Sequence, residues 1–282
     1  EVDKMVLKER PNVRFEDVGG LTVVKEELAT VVLALKNPGI FTRGGTHPPR
    51  GVLLYGEPGV GKTLVAKALA READADIYVV RIGDVLHSLY GKTERVIQSV
   101  FDRANENGAC VIYIDEFDAL ASHRDKSNEV TSRIVSVLLT NMDGLEERGK
   151  NIIVVGATNR LDAIDTALLR PGRFDLTIEV PLPTEPERAD IFSIHMKKAN
   201  VIADSQLFED EFDMSALARR SNHFSGADIA EVIRRTLVKR VRAISEGKDP
   251  GHVKVQDVIE QVERHREFLE KRKQSGSTGQ YI

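Results

Sequence analysis

Residues Gly56 to Thr63 read GEPGVGKT, the pattern GxxxxGK[ST], and this octet limits the possible folds more than any other part of the chain. Gly56, Gly59 and Gly61 let the backbone take positive φ and turn its N–H groups inward, forming a concave anion nest at the start of a helix. Lys62 suits the β and γ phosphates as a point charge, and the Thr63 hydroxyl suits ligation of Mg2+. Such a nest needs a strand before it and a helix after it. The flanks comply: Gly51 to Tyr55 (GVLLY) reads as a buried strand, and Leu64 to Ala73 is rich in Ala and Leu and helix-forming. The octet therefore predicts strand, phosphate loop and helix in that order, with a nucleotide as ligand.

Further apolar runs at Ile77 to Val80, Val111 to Ile114 and Ile152 to Val155 alternate with helix-compatible stretches at Glu94 to Asn105 and Val130 to Met142. That alternation predicts an α/β domain whose parallel sheet is sandwiched by helices. Leu176 to Val180 (LTIEV) alternates instead, as a less buried strand does. PLPTEP follows, where Pro181, Pro183 and Pro186 stop regular structure and offer a hinge. Beyond it the period turns helical: Ile229, Val232, Ile233, Leu237, Val241 and Ile244 share one face, as do Val255, Val258, Ile259 and Val262. The expected organisation is a large α/β nucleotide-binding domain over 1–184, a small all-α lid over 185–271, and a polar, disordered tail over 272–282.

Composition narrows the partners. A net charge of −4 and a pI near 6.0 argue against a general grip on nucleic acid. Cys110 is the single cysteine, so no intramolecular disulfide is possible and a reducing cytoplasm fits best. No uncharged run of membrane-spanning length is present, so a soluble protein without a membrane segment is expected.

The strand Val111 to Ile114 ends in Asp115 and Glu116, at the side where a parallel sheet presents ligands. There Asp115 can hold Mg2+ through water, and Glu116 can act as general base on an attacking water. An acidic strand-to-helix turn is the plain alternative for this pair. The next strand ends in Gly156, Ala157, Thr158 and Asn159, followed by LDAIDTALLRPGRFD. This stretch resembles the second region of homology of the AAA branch of AAA+ ATPases, and the resemblance runs from about Arg14 to Ala243.

The resemblance implies a phosphate-loop NTPase fold with ATP and Mg2+ as cofactors. It makes Asn159 the polar sensor beside Glu116, and Arg170 and Arg173 arginine fingers acting on a neighbouring subunit's nucleotide, hence a homo-oligomeric ring, usually a hexamer. It counts Val60 and Leu64 with the phosphate loop, sets Asp17 and Gly19 of FEDVGG near the adenine, and sets His195 near ribose and base. Gly226 and Ala227 of SGAD belong to the nucleotide-facing start of a lid helix; Ser225 as an N-cap is the structural reading of that string. Relatives commonly carry Pro and Thr where this chain has Glu57 and Val60, and neither change removes a phosphate contact.

Relatives also place an aromatic residue, an apolar one and Gly in a central-pore loop. This chain reads Leu89, Tyr90, Gly91, with the aromatic one residue late. In a ring these side chains could grip an extended polypeptide, which makes protein substrates the expected cargo. Leu35 to Arg50 also resembles membrane-bound AAA metalloproteases, but no HExxH string exists here. No NKxD string is present either, which favours ATP over GTP. The end, Gly279, Gln280, Tyr281 and Ile282, resembles the GQYL terminus of bacterial proteasomal ATPases, whose Tyr and carboxylate dock in a core protease; Tyr281 and Ile282 would be that docking tail. The expected activity is ATP-driven unfolding or translocation of proteins, with complex disassembly without threading, or a scaffold role, as the other readings.

Overall fold

In the computed structural model the residues described are 6–87, 93–106, 108–122, 128–145, 151–210 and 212–277. Leu89, Tyr90, Gly91, Tyr281 and Ile282 lie outside the described residues. The chain divides into two compact units, one of residues 1–18 and 22–181, the other of 19–21 and 182–282. The break falls at Pro181/Leu182 rather than at 184/185, and Gly19 to Leu21 belongs with the second unit.

The first unit is built on a six-stranded sheet in the order β1-β3-β4-β5-β2-β6. Its strands are β1 (Val6–Glu9), β2 (Gly51–Tyr55), β3 (Asp76–Arg81), β4 (Cys110–Asp115), β5 (Ile152–Thr158) and β6 (Leu176–Glu179). All pairings are parallel except β1 with β3. Every residue of β5 (IIVVGAT) is buried, as a central strand covered on both faces must be. At the edge, β6 buries Ile178 and exposes Thr177 and Glu179, which is the alternation its sequence shows. The helices are α1 (Thr22–Lys36), α2 (Gly39–Arg43), α3 (Lys62–Glu72), α4 (Ile82–His87), α5 (Thr93–Glu106), α6 (Ala119–Ser122) and α7 (Asn128–Asp143).

Alternate residues of β4 serve the two faces. Cys110, Ile112 and Ile114 join a core with Val96, Phe101, Ile134 and Leu138 of α5 and α7. The intervening Val111 and Tyr113 are equally buried but lie on the other face, where α3 packs. Each such fully buried side chain stabilises the fold by roughly 1.5–3 kcal/mol. Burial also pushes the Cys110 thiol up to about 12, so it is an inert core residue.

The second unit is helical: α8 (Glu185–Ala203), α9 (Met214–Arg220), α10 (Gly226–Ser245) and α11 (Val255–Ser277). Its core gathers Phe192, Met196, Leu217, Phe224, Ile229, Val232, Val258 and Val262. The apolar stripe of α10 is buried only through its first half; Val241 and Ile244 are 61% and 56% exposed. Helix α11 continues to Ser277, into the segment whose composition predicts disorder, which corrects that expectation as far as Ser277. Among the described residues no helix is long and apolar enough to cross a membrane.

Candidate active site

The phosphate loop joins β2 to α3 at the carboxyl end of the sheet. Gly56 has φ +152°, and a Cβ there would lie 2.2 Å from the Val180 carbonyl oxygen, so only glycine lets the chain leave β2 beside β6. Gly61 caps α3 with φ +106° and no side chain, which leaves the first helical N–H groups open toward the loop's concavity. Val60 is buried beneath the loop and Glu57 is exposed, so the extra carboxylate stands in solvent. Leu64 is half-buried in the first turn of α3.

Lys62 is only 8% exposed, and its ammonium donates to the carbonyls of Gly56 and Glu57, each at 2.8 Å, and to Asn159 Oδ1 at 2.9 Å. Burial holds its pKa below the ordinary lysine value, while Asp115 and Asp118 act in the opposite direction. The Thr63 hydroxyl lies 2.9 Å from the Tyr113 hydroxyl and 3.3 Å from Asp115 Oδ2, while Asp115 Oδ1 accepts the Glu116 N–H at 3.0 Å. A hydroxyl and a carboxylate side by side are hard oxygen donors that fit Mg2+, which takes one or two protein ligands and keeps water and phosphate oxygens for the rest. No cluster of three His, Cys, Asp or Glu able to cage an ion exists among the described residues.

Glu116 follows β4 with φ +55°, a left-handed conformation costing on the order of 1 kcal/mol for a residue with a side chain. Its carboxylate comes against Gly83 of α4, where an added Cβ would sit 2.9 Å from Oε2. Asp118 escaped the sequence reading. Its Oδ1 accepts the Thr158 hydroxyl at 3.0 Å and the Asn159 N–H at 3.2 Å, which sets the backbone from which Asn159 reaches Lys62. The only signal for it in the chain is a carboxylate two residues after Glu116.

The arginines lie elsewhere. A Cβ on Gly51 would be 2.4 Å from the Arg173 carbonyl oxygen, so Arg173 abuts the amino end of β2, about 13 Å of strand from the phosphate loop at a rise of ~3.3 Å per residue. The Arg173 guanidinium forms a fork with Asp143 through two 3.0 Å bonds and donates to the Ala167 carbonyl at 2.7 Å. That fork holds the Asp143 carboxyl below its ordinary range. The Arg170 side chain is exposed and makes no hydrogen bond or ion pair among the described residues, while its carbonyl accepts the Arg173 N–H at 3.2 Å. A separate cavity of about 350 Å3 at this amino end is lined by Leu35, Pro38, Pro49, Arg50, Leu145 and Ile152, none of which is a candidate site residue.

Asp17 ends a short 3-10 turn in the first unit, where its carboxylate accepts the Arg14 N–H at 2.9 Å. In the second unit Gly19 packs where a Cβ would come 2.5 Å from Ile191 Cγ1, on the helix that also carries His195. His195 is half-buried, and burial lowers its pKa, as does neighbouring Lys198. Ser225 caps α10 in a capping box with Asp228, which fixes the turn bearing Gly226 and Ala227. The structural reading of Ser225 is therefore satisfied.

Residues 52–182 match the ATPase family associated with various cellular activities (AAA). Over 276 residues the chain is 39% identical to the proteasome-activating nucleotidase of Aeropyrum pernix, which covers 96% of this chain and 64% of that protein. It is 43% identical over 239 residues to the cell division cycle protein 48 homolog of Archaeoglobus fulgidus, covering 83% of this chain and 31% of the relative. It is 42% identical over 233 residues to proteasome-activating nucleotidase 1 of Haloferax volcanii, covering 81% and 55%. The chain thus spans between 31% and 64% of the lengths of these relatives. With a phosphate loop, a strand-end acidic pair and a polar residue gathered at the carboxyl end of one sheet, and with that sequence match across them, residues 52–182 form a domain of the AAA family of ATPases.

Proposed function

We propose that the chain hydrolyses ATP as one subunit of a homo-oligomeric ring, hexameric as is usual in its family, in the cytoplasm. Turnover would drive unfolding and translocation of protein substrates toward a proteasome-like core protease. The observation that carries the hydrolytic reading is the hydrogen-bonded set Lys62, Asn159, Thr63 and Asp115, which brings the end of β5 and the end of β4 onto the phosphate loop. The relatives named proteasome-activating nucleotidase support the coupling to proteolysis.

In this reading Lys62 exchanges its carbonyl partners for β and γ phosphate oxygens, and the N–H groups at the start of α3 hold the same anion. Thr63, and Asp115 through water, would hold Mg2+, which would supply charge neutralisation at the phosphates. Glu116 takes the proton of the attacking water, and Asn159 orients that water. By the family resemblance, Asp17 in the first unit and Gly19, His195, Gly226 and Ala227 in the second would each serve base or ribose. Arg170 and Arg173 serve the next subunit's nucleotide, a reading supported by the distance of Arg173 from its own phosphate loop. Leu89, Tyr90 and Gly91 would grip substrate, and Tyr281 and Ile282 would dock the protease.

Mixing two defective variants tests it. Lys62→Ala cannot bind nucleotide but keeps its fingers; Arg173→Ala binds nucleotide but lacks one. Each should be inactive alone, and mixed assemblies should regain part of the turnover. No regain, or full activity of Arg173→Ala alone, would overturn the shared-site reading.

A further inference from the structure

The β4 side chains alternate, so Tyr113 and Asp115 lie two apart on the face that α3 covers, and both reach Thr63 in the first turn of that helix. Tyr113 is fully buried, and its hydroxyl touches the hydroxyl of Thr63 at 2.9 Å. Proton placement follows from donor chemistry. A threonine hydroxyl has one proton and two lone pairs, and a carboxylate oxygen only accepts. The Thr63 proton therefore goes to Asp115 Oδ2, and Tyr113 must be the donor in its contact with Thr63. A phenol carries its proton near neutral pH and is a donor there. One Thr63 lone pair is thus taken by Tyr113, and the other is left with a fixed direction.

We propose that Tyr113 is a positioning residue for the metal side of the nucleotide site: by donating to Thr63 it locks that hydroxyl so that its free lone pair serves the nucleotide-bound Mg2+. This rests on the reading of Thr63 as a metal ligand. Tyr113→Phe keeps the ring and its packing and removes only the donor. Without it the Thr63 hydroxyl can turn and offer the cation either lone pair or its proton.

The test is nucleotide affinity rather than turnover. ATP binding would be measured by calorimetry in EDTA and across a Mg2+ titration for the wild type, Tyr113→Phe and Thr63→Ala, each first shown to melt cooperatively. In EDTA, Tyr113→Phe should bind ATP within about 2-fold of wild type; its gain in affinity on adding Mg2+ should be cut about 5-fold, as expected for one lost hydrogen bond. Thr63→Ala should lose most of that gain. A Tyr113→Phe protein with the wild-type Mg2+ response, while Thr63→Ala loses it, overturns the proposal alone. An equal loss of affinity by Tyr113→Phe with and without Mg2+ also overturns it, since the role is then packing of the loop. Retention of the full Mg2+ response by Thr63→Ala removes the underlying metal-ligand reading instead.

Discussion

The Lys62 ammonium stands 2.9 Å from the Asn159 side-chain oxygen, so a residue at the end of β5 shares the charge that the phosphate loop offers a nucleotide. Removing that oxygen leaves Lys62 its two loop carbonyls. Asn159→Ala should therefore bind ATP within about 3-fold of wild type yet turn over about 100-fold more slowly, because in the proposed mechanism Asn159 acts on the reacting centre rather than on the bound ground state. Steady-state kinetics with a separate binding measurement checks this; a change in KM alone would place Asn159 in ground-state binding.

Gly83 offers a sharper geometric test. Its Cβ position lies 2.9 Å from Glu116 Oε2, and its own φ is not left-handed, so alanine suits the helix but pushes on the carboxylate. Gly83→Ala should raise helix stability by up to ~1 kcal/mol. Turnover should nevertheless fall on the order of 10-fold or more, since displacements near 1 Å at a catalytic group can cost about 100-fold. Melting temperature and kcat measured on the same preparation should move in opposite directions.

The two arginines should separate. The exposed Arg170 side chain makes no hydrogen bond or ion pair among the described residues, so Arg170→Ala should leave the melting temperature unchanged while lowering ring-dependent turnover by about 1,000-fold or more. Arg173→Ala should lower turnover likewise, and also lower the melting temperature, because it removes the Asp143 fork and the bond to Ala167. Arg173→Lys should not rescue it, since an ammonium cannot form the fork.

Acid should loosen the second unit through Asp228. Burial pushes its carboxyl up, but the His265 ring nitrogen at 2.8 Å, together with the Ser225 hydroxyl and N–H at 2.6 and 2.8 Å, outweighs burial and leaves its pKa below the ordinary value. A depressed carboxyl stabilises the fold above the unfolded pKa of about 4, and that contribution is lost as pH falls through the folded value. Asp228→Asn should therefore melt several degrees below wild type at about pH 7, and the gap should narrow as the pH drops below about 4. A gap that stays constant across a calorimetric pH series would remove Asp228 as the titrating group.

The sheet was legible because its strands are continuous apolar runs with turn residues at their ends: β2, β3, β4 and β5 all fall on the stretches that composition marks. β1 was missed because VLKE buries only Val6 in the core and reads as polar, and α1 because the exposed Val23 and Leu33 blur the period of its buried Val24, Leu28 and Val31. Periodicity carried α10 too far, since the stripe that Val241 and Ile244 continue emerges into solvent. Within the site, the residues with special chemistry could be read directly: the glycines, Lys62, Thr63 and the Asp115–Glu116 pair. Asp118 and Tyr113 could not, because their roles come from partners far away in sequence, Asn159 and Thr63, that only the folded sheet brings within reach.

Single-turnover conversion of ATP to ADP by wild type and Glu116→Gln, with ATP binding measured alongside, tests the hydrolytic assignment most directly. Glutamine keeps the size and the strained backbone position but cannot take a proton. The expected result is binding within about 3-fold of wild type with hydrolysis slowed by at least about 100-fold. Hydrolysis by Glu116→Gln at the wild-type rate would contradict it.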